Sequence, residues 1–340
     1  MRNNLNKNNE FIGTSQEANN LLEDIKAAAG HDENVLITGD TGTGKEIVAR
    51  RIHSLSKRAE NSFVALNLSA LPHELIETEL FGYEKGAFTG SANRKVGRVE
   101  LANRGTLLLD EISAVSSGVQ AKLLRYLEDG IVQRLGGVRN IQTDVRIISA
   151  TNEELTPDKI RKDLLYRLDV DAIHIPPLRE RRDDIALIAE FYLGLLNRSY
   201  GTCKRFTTGA LDLLQTYEYP GNVRELENIV RYAFVRSKEQ IDASVVFKRI
   251  DMRRPKTSPG LPDKWPKARN ALYEKMFVDA LRRNNGSMRR AIEEIGTSYN
   301  TASLFIRKHY GTAPEFYRFH GIKPYKTTPH KAFGRAYSSV

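Results

Sequence analysis

The sequence predicts an α/β fold built on a parallel five-stranded sheet and followed by two helical modules. The first observation is a set of five short apolar runs, rich in β-branched residues, that alternate with helical patterns between residues 14 and 177. The second is that the strand signal stops near residue 183. The third is that the excess of basic residues lies in the last quarter of the chain.

Five apolar runs carry the strand prediction. They are separated by amphipathic stretches such as EIVARRIHSLSK and VQAKLLRYLEDG. Several runs are apolar on both faces, which is typical of parallel strands covered by helices on both sides. We therefore predict a doubly wound α/β domain. In chain order the runs are NVLITG, SFVALNL, GTLLLDEI, DVRIISAT and DAIHIPP.

Changes in composition divide the chain into six predicted segments. Four prolines between residues 251 and 266 are typical of a linker, and helical patterns lie on either side of it. The segments are a short N-terminal extension (1–10), the α/β domain (11–180), a small helical subdomain (181–250), the linker (251–266), a second helical module (267–320) and a basic tail expected to be disordered (321–340).

The net charge of +10 is unevenly distributed. Residues 251–340 hold 18 of the 52 Lys and Arg residues but 7 of the 42 Asp and Glu residues, whereas the rest of the chain is nearly neutral. A basic module on a neutral body indicates a polyanionic partner, although a solvated tail would explain part of the excess.

Several classes of protein are excluded. No run approaches the roughly 18 apolar residues of a membrane span, and the opening MRNNLNKNNE lacks the apolar core of a signal peptide. We therefore expect no membrane segment and a cytoplasmic location. Cys203 is the single cysteine, which rules out an intrachain disulfide, and the histidines show no metal-ligand spacing.

A glycine-rich loop follows the first apolar run, in VLITGDTGTGKE. Glycines between a strand and a helix let backbone N–H groups surround phosphate oxygens, and the lysine reaches the terminal phosphates. The alternative, a glycine turn that happens to precede a lysine, does not predict the acidic pair described next. This Walker A pattern predicts a nucleotide-binding loop of Gly39, Asp40, Thr41, Gly42, Thr43, Gly44, Lys45 and Glu46.

Two carboxylates end the run GTLLLDEI, at Asp110 and Glu111. Glu46 stands where Ser or Thr usually binds Mg²⁺, so we expect Asp110 to hold Mg²⁺ through the nucleotide and Glu111 to polarise the attacking water. Alone, such a pair could instead cap a helix. With the glycine-rich loop it predicts a site that hydrolyses nucleoside triphosphates.

The chain resembles the AAA+ domain of the bacterial enhancer-binding activators of sigma-54 RNA polymerase over roughly residues 11–236. The resemblance implies a P-loop ATPase fold with a helical lid, ATP and Mg²⁺ as cofactors, and a ring, expected to be a hexamer. It rests on GDTGTGKE, ELFGYEKGAFTGS, GTLLLDEI, DVRIISATN, RKDLLYRLDV, IPPLRERRDDI and YPGNVRELEN, in that order.

The same resemblance implies further residues of the ATPase site. Asn67 matches the residue that restrains the catalytic glutamate, and Asn152 matches the sensor beside the γ-phosphate. Arg161 and Arg167 match arginine fingers that reach a neighbouring subunit's nucleotide, and Arg224 matches the lid sensor, which binds ATP. Six residues of one helix separate two side chains by about 240°, so the two arginines can point the same way only if the helix begins between them. Without the motif, each arginine would be read as a surface ion pair.

The resemblance also implies a role for the glycine-framed segment after residue 85, which has no helical or strand periodicity. In this family the loop projects and contacts sigma-54. The alternative is that Phe88 folds back onto the domain. Ser91 replaces the usual final Ala of the motif, which affects the efficiency of contact more than its existence. The expected contact residues are Gly86, Ala87, Phe88, Thr89, Gly90 and Ser91.

The C-terminal module reads as a helix, a turn at Gly296 and a second helix, similar to a Fis-type helix-turn-helix. A small dimerising hairpin is the alternative, and GTAPEFYRFHGI predicts a further short helix from Pro314. The expected DNA-binding residues are Arg289, Tyr299, Asn300, Thr301, Ser303, Arg307 and Lys308.

Together these features predict an ATP-hydrolysing transcription activator that binds upstream enhancer DNA and remodels the closed complex of sigma-54 RNA polymerase. The alternatives are a DNA-binding regulator with a vestigial ATPase that acts on another form of polymerase, and a generic AAA+ remodeller. Because only about ten residues precede the AAA+ region, we expect no N-terminal regulatory domain. Control would then come from a regulatory protein in trans, a heteromeric partner or expression level.

Overall fold

The computed structural model describes residues 11–88, 93–252, 274, 277–295, 302–303, 306–307, 310 and 312–324. The chain separates into two compact units. The first comprises Met1–Tyr200 and Tyr217–Val230, and the second comprises Gly201–Thr216 and Arg231–Val340. The predicted N-terminal extension, most of the linker and most of the basic tail lie outside the described residues.

The first unit alternates strands and helices, as predicted. Short 3₁₀ turns at Ile112–Ala114 and Leu178–Glu180 interrupt this pattern. Its elements are α1 (Gln16–Ala29), β1 (Val35–Thr38), α2 (Lys45–Leu55), β2 (Phe63–Asn67), α3 (His73–Phe81), β3 (Gly82–Tyr83), β4 (Lys95–Val96), α4 (Arg98–Leu101), β5 (Thr106–Asp110), α5 (Ser117–Asp129), β6 (Ile131–Val132), β7 (Ile141–Gln142), β8 (Arg146–Thr151), α6 (Lys162–Leu168), β9 (Asp171–His174) and α7 (Asp183–Tyr200).

A five-stranded sheet in the order β2-β5-β8-β1-β9 forms the centre of this unit. Its neighbouring strands pair in parallel, with Asn67 opposite Asp110 and Thr38 opposite Thr151. The parallel five-stranded sheet predicted from the five apolar runs is therefore confirmed. Because the strands are parallel, the residues that follow β1, β2, β5 and β8 meet at one edge of the sheet.

The sheet is covered on both faces, which explains why its strands are apolar on both sides. Leu108 packs with Ile37 and Ile52 in a cluster that includes α1 and α2. Its neighbours Leu107 and Leu109 point the opposite way, into a second cluster that includes α3 and α5. The strand β5 is thus fixed from both sides, and Asp110 ends it at the polar edge.

Two antiparallel hairpins extend from this unit. β3 pairs with β4, and β6 pairs with β7. The hairpins contact each other, because the Glu84 N–H donates to the Leu135 carbonyl at 3.0 Å and the Leu135 N–H donates to the Gly82 carbonyl at 3.0 Å. The residues between β3 and β4 include the glycine-framed loop.

The second unit is mainly helical. A parallel pair of two-residue strands precedes two helices that pack together, and α9 continues into this unit from the first. Its elements are β10 (Arg205–Phe206), α8 (Thr208–Thr216), α9 (Asn222–Arg236), β11 (Gln240–Ile241), α10 (Ala243–Met252), α11 (Met288–Ile295) and α12 (Ala313–Phe319).

The C-terminal part of this unit has its own apolar core. Phe277, Leu281, Ala302 and Phe316 are fully buried within it. α12 belongs to this core and is capped by Thr312, whose hydroxyl accepts from the Glu315 N–H at 3.4 Å. The short helix predicted from Pro314 is therefore present and begins one residue earlier. The predicted turn at Gly296 lies outside the described residues, so the helix-turn-helix stays a prediction.

Across the described ranges, no helix combines the length and the hydropathy needed to cross a membrane.

Candidate nucleotide-binding site

A cleft of about 660 Å³ opens at the polar edge of the sheet, within the usual size of small-molecule sites. It brings together predicted residues from five parts of the sequence, and one of them, α9, forms one wall. The predicted residues that line it are Thr41, Gly42, Gly44, Lys45, Glu46, Asn67, Asp110, Glu111, Asn152 and Arg224.

The glycine-rich loop between β1 and α2 has one fixed shape. Gly42 has a φ of 82°, and a Cβ added there would lie 2.4 Å from the Gly221 carbonyl oxygen. Gly44 has a φ of 108° and is the N-cap of α2, whose first N–H groups have no partner within the helix. Thr43 is 1% exposed, and its hydroxyl donates to the Asp40 carbonyl at 2.8 Å. Contacts within the protein therefore fix the conformation of the loop without a ligand.

Lys45 lies in the cleft, and only 7% of the residue is exposed to solvent. Its ammonium donates to the Gly39 carbonyl at 2.9 Å and lies 3.7 Å from a carboxylate oxygen of Glu111. A buried lysine needs such partners because burial penalises its charge. The ammonium is thus placed where the terminal phosphates of a nucleotide would bind.

Asp110 and Glu111 lie together at the end of β5. Burial, and to a lesser extent the negative charge of Glu111, raise the pKa of Asp110 above its ordinary value, while Lys45 acts in the opposite direction. Glu111 has a φ of 58°, so the chain turns sharply as it leaves the strand. The cleft therefore holds concentrated negative charge that a cation would relieve.

These residues fit Mg²⁺ bound together with a nucleotide. Within the described part of the chain, no group of three or more His, Cys, Asp or Glu side chains is placed to hold a metal ion. Mg²⁺ in phosphate sites is held by one or two carboxylates together with phosphate oxygens and water. Asp110 supplies such a carboxylate, and the ion would supply positive charge to the phosphates.

Two asparagines link the strand ends. The Asn152 side-chain amide donates to the Thr41 hydroxyl at 2.9 Å, and its backbone N–H donates to Glu111 at 3.3 Å. The Asn67 amide donates to Asp110 at 2.9 Å, not to Glu111. This contact follows from the sheet register, in which Asn67 and Asp110 are paired directly. The predicted restraint of the catalytic glutamate by Asn67 stays a prediction.

Glu46 faces the cleft but is already partnered. Its carboxylate accepts from the Arg50 guanidinium at 2.7 and 2.9 Å, one turn along α2. The Arg50 guanidinium thus offsets the charge of Glu46, whereas the Glu111 carboxylate lies 3.7 Å from the Lys45 ammonium.

The sequence interpretation missed polar residues that hold the loop from behind. The Asn222 amide donates to the Thr41 carbonyl at 3.1 Å, and its oxygen accepts from the Leu178 N–H at 2.8 Å. Arg179 pairs with Asp40 at 3.1 Å, and the Arg181 guanidinium donates to the Thr43 carbonyl at 3.2 Å. The motifs IPPLRERRDDI and YPGN contain these residues, but neither motif indicates their partners.

An apolar pocket adjoins the cleft and shares Gly44, Ile47, Tyr192 and Val223 with it. Apolar walls next to a phosphate loop suit the base of a nucleotide. The remaining lining residues are Phe11, Ile12, Thr43, Arg181, Ile188 and Phe191.

Arg161 and Arg167 lie outside the lining of the cleft. α6 begins at Lys162 with Arg161 as its N-cap, so the helix does begin between the two arginines. Both side chains are exposed: Arg161 pairs with Asp163 at 2.6 Å, and Arg167 lies 3.9 Å from Glu128. Neither contributes to the cleft of its own chain.

The glycine-framed loop lies at the end of the hairpin formed by β3 and β4. The Phe88 ring is 45% exposed, and its centroid lies 5.0 Å from that of Tyr83, edge to face. Phe88 is therefore partly exposed, as predicted, and it also packs partly against the domain, as in the alternative. Ala87 packs beside Gly136 of the second hairpin. Of the predicted contact residues, Thr89, Gly90 and Ser91 lie outside the described residues.

The predicted DNA-binding residues are described only in part. Arg289 of α11 is highly exposed and pairs with Glu293 at 3.1 Å, while Ser303 and Arg307 are exposed. Tyr299, Asn300, Thr301 and Lys308 lie outside the described residues.

The sequence matches two domain families. Residues 11–174 match the Sigma-54 interaction domain, and residues 179–261 match the AAA+ ATPase lid domain. The first match ends at β9, and the second covers the whole predicted helical subdomain and part of the predicted linker.

Known proteins resemble long stretches of the chain. It is 44% identical over 261 residues to the Nif-specific regulatory protein of Azotobacter vinelandii, which covers 75% of this chain and 50% of that protein. It is 44% identical over 262 residues to the anaerobic nitric oxide reductase transcription regulator NorR of Vibrio vulnificus, which covers 75% of this chain and 51% of that protein. The chain thus spans about half the length of the curated relatives it matches.

A solved structure shares the fold. NtrX from Brucella abortus, crystallised in complex with ATP, has a TM-score of 0.65 and 31% identity, covering 88% of this chain and 69% of that chain. This likeness and the lid-domain match confirm the predicted AAA+ fold.

Proposed function

Because the chain belongs to the family of sigma-54-dependent activators that carry an AAA+ ATPase domain, we propose that it hydrolyses ATP to remodel sigma-54 RNA polymerase at promoters. The observation that carries the proposal is the convergence of Lys45, Asp110, Glu111 and Asn152 in one cleft. Lys45 lies 3.7 Å from Glu111. Lysine, carboxylates and a polar sensor side by side suit phosphoryl transfer to water.

ATP binds with its phosphates in the glycine-rich loop and its base in the adjoining apolar pocket. The Lys45 ammonium and the N-terminus of α2 neutralise the phosphate charge. Asp110 would hold Mg²⁺, which would supply positive charge to the phosphates. Arg224 lines the same cleft from α9 and completes its positive side.

Glu111 orients the attacking water and accepts its proton as the bond to the terminal phosphate breaks. Asn152 ties Glu111 to Thr41 of the phosphate loop, so the base and the loop keep a fixed relation. Asn67 fixes Asp110 in the same way from the neighbouring strand. Hydrolysis therefore takes place in a prearranged network.

Arg161 and Arg167 serve a neighbouring subunit in a ring, which we expect to be a hexamer. An arginine that stabilises the transferring phosphoryl group must reach it, and both side chains lie outside the cleft of their own chain. The ring binds upstream enhancer DNA through the basic C-terminal module. It acts in the cytoplasm, where DNA and polymerase are present, and a regulatory protein in trans can set its activity.

The loop from Gly86 to Ser91 transfers the result of hydrolysis to sigma-54. Phe88 offers a large ring at the end of a hairpin, which gives contact area at low entropic cost. The two hairpins are tied together at their bases, so they can move as one element.

Transcription with purified sigma-54 holoenzyme tests this function. We expect promoter opening that requires ATP and is lost in Glu111→Gln and in Thr89→Ala. Opening without a nucleoside triphosphate would contradict the proposal. Binding to DNA with no turnover of ATP would instead support a regulator with a vestigial ATPase.

Mixing variants tests the shared site. Arg161→Ala and Glu111→Gln should each be inactive alone, since removal of an arginine finger costs about 10³- to 10⁵-fold in turnover. In a mixed ring some sites combine an intact Glu111 with an intact Arg161, so ATPase activity should reappear. Failure of every mixture to exceed the separate variants would place the arginines outside the reaction.

A further inference from the structure

Residues 11–15 form a short strap that crosses the base end of the nucleotide site. Asp184 is fully buried and accepts three hydrogen bonds from this strap, from the Thr14 N–H at 2.6 Å, the Ser15 N–H at 2.8 Å and the Ser15 hydroxyl at 2.8 Å. Gly13 lies so close that a Cβ there would be 2.8 Å from the Asp184 carboxylate. The buried carboxylate of Asp184 thus fixes the position of the strap.

A second buried charge connects the strap with the phosphate loop. Arg181 is 1% exposed, and its guanidinium carbon lies 5.0 Å from the centre of the Phe11 ring. The same guanidinium donates to the Thr43 carbonyl at 3.2 Å, in the middle of the loop that surrounds the phosphates. Its Nε has no hydrogen-bond partner among the residues that the structure describes.

Burying Arg181 costs more free energy than burying an apolar side chain at the same position. Burial lowers the pKa of its guanidinium, and the charge of Asp184 offsets that effect. A buried arginine with an unused donor is less stabilising than an apolar side chain of the same size. We therefore look for the function of this buried charge in the two groups that Arg181 contacts, the Phe11 ring and the Thr43 carbonyl.

The strap also lines the base pocket directly. Phe11 and Ile12 line it together with Ile188 and Val223. A bound base would contact the strap, whereas the phosphates would contact the loop. Arg181 contacts both Phe11 and the backbone of the loop.

We propose that Arg181 is a positioning residue that couples docking of the strap to the affinity of the loop for phosphate. With Phe11 on the guanidinium, Arg181 is held against the Thr43 carbonyl and keeps the loop N–H groups directed at the phosphates. When the strap leaves, Arg181 is free to turn towards water and the loop loses this support. The inference rests on the proposed binding of nucleotide, and it makes strap docking a control on nucleotide affinity.

Magnesium tripolyphosphate is the probe that separates this coupling from direct contact, since it lacks a base and cannot touch the strap. Its affinity and that of ATP are measured by calorimetry for the wild type, Phe11→Ala, Arg181→Met and the double variant. We expect Phe11→Ala to weaken tripolyphosphate binding about three- to thirtyfold, the range from partly exposed to desolvated cation–aromatic contacts. In the Arg181→Met background the same change should have no effect.

Two results would overturn the proposal. In the first, Phe11→Ala weakens ATP but leaves tripolyphosphate binding unchanged, so the strap touches only the base. In the second, Phe11→Ala has the same effect in both backgrounds, so Arg181 does not transmit it. Failure of the wild type to bind ATP at all would instead remove the proposed function.

Matched variants keep the test decisive. Phe11→Leu retains an apolar wall without a ring, so it should reproduce the loss of tripolyphosphate affinity while preserving more of the ATP affinity. If Arg181→Met does not fold, Arg181→Lys serves as the second background, because its single ammonium cannot both lie on the ring and donate to Thr43 in the same geometry. The melting temperature of each nucleotide-free variant is recorded alongside.

Discussion

Two glycine-containing loops of the same unit are built in opposite ways. At Gly42 in the phosphate loop, an added Cβ would lie 2.4 Å from a backbone carbonyl. At Gly86 in the hairpin loop, no described atom lies within 4 Å of the same position, although φ is 83°. At Gly42 a side chain would clash with neighbouring atoms. At Gly86 only the positive φ favours glycine.

The two loops of this unit also differ in how closely other residues surround them. The phosphate loop is surrounded by Asn222, Arg179 and Arg181, and its Thr43 and Lys45 are almost fully buried. The hairpin loop places a half-exposed Phe88 at its end. We interpret the first as a fixed catalytic element and the second as an element that is free to change its contacts.

The largest expected effect separates chemistry from binding. Glu111→Gln should lower ATP turnover about 10²- to 10⁴-fold, because it removes the base that accepts the proton from water. ATP affinity should change little. Glu46→Gln is the matched control: its carboxylate faces the same cleft but is bound to Arg50, so turnover should stay within a few-fold. Equal losses in the two variants would contradict the assigned base.

A glycine pair tests the comparison directly. Gly42→Ala should weaken ATP binding about 10- to 100-fold, since both the strained φ and the clash must be relieved by moving the loop. Gly86→Ala should leave ATP affinity unchanged, because its cost is confined to the hairpin. Titration with ATP measures both. A comparable loss of affinity in Gly86→Ala would break the distinction between the two loops.

The hairpin should show the reverse pattern. Phe88→Ala should reduce ATP-dependent promoter opening about tenfold, as truncation of an aromatic contact residue does, with ATP turnover unchanged. Leu55→Ala removes an equally exposed apolar side chain at the end of α2 and serves as the control. If Phe88→Ala instead lowered ATP turnover and promoter opening in parallel, the residue would belong to the catalytic element.

The smallest expected effect concerns stability. Because burial and Glu111 raise the pKa of Asp110, its charged form destabilises the nucleotide-free protein when the pH is above that pKa. Asp110→Asn should therefore raise the melting temperature at pH 7, by about 1–2 °C after allowance for partial exposure. The gain should shrink as the pH falls through the raised pKa. A lower melting temperature at pH 7 would contradict this assignment.

Much of the catalytic unit could be predicted from the sequence. Each of the five apolar runs became a strand of the central sheet, since buried parallel strands carry a strong apolar signal. Lys45, Asp110 and Glu111 meet because strand order brings their ends together. The spatial order β2-β5-β8-β1-β9 itself depends on long-range pairing that no local pattern encodes.

The remaining features depend on contacts between distant residues. The strands of the two hairpins are two residues long, too short to show any periodicity. Asn67 matched a motif, but its partner, Asp110, followed from the sheet register. Arg181 and Asp184 are charged residues within an arginine-rich stretch, and nothing in the sequence indicates that both are buried.

Capture of purified sigma-54 in defined nucleotide states tests whether the nucleotide in the fixed cleft controls the contacts of the hairpin loop. We expect Glu111→Gln loaded with ATP to retain sigma-54, the ADP-bound and nucleotide-free proteins not to retain it, and the addition of Phe88→Ala to abolish retention. Equal retention in all three states, or retention that is insensitive to Phe88, would contradict this expectation.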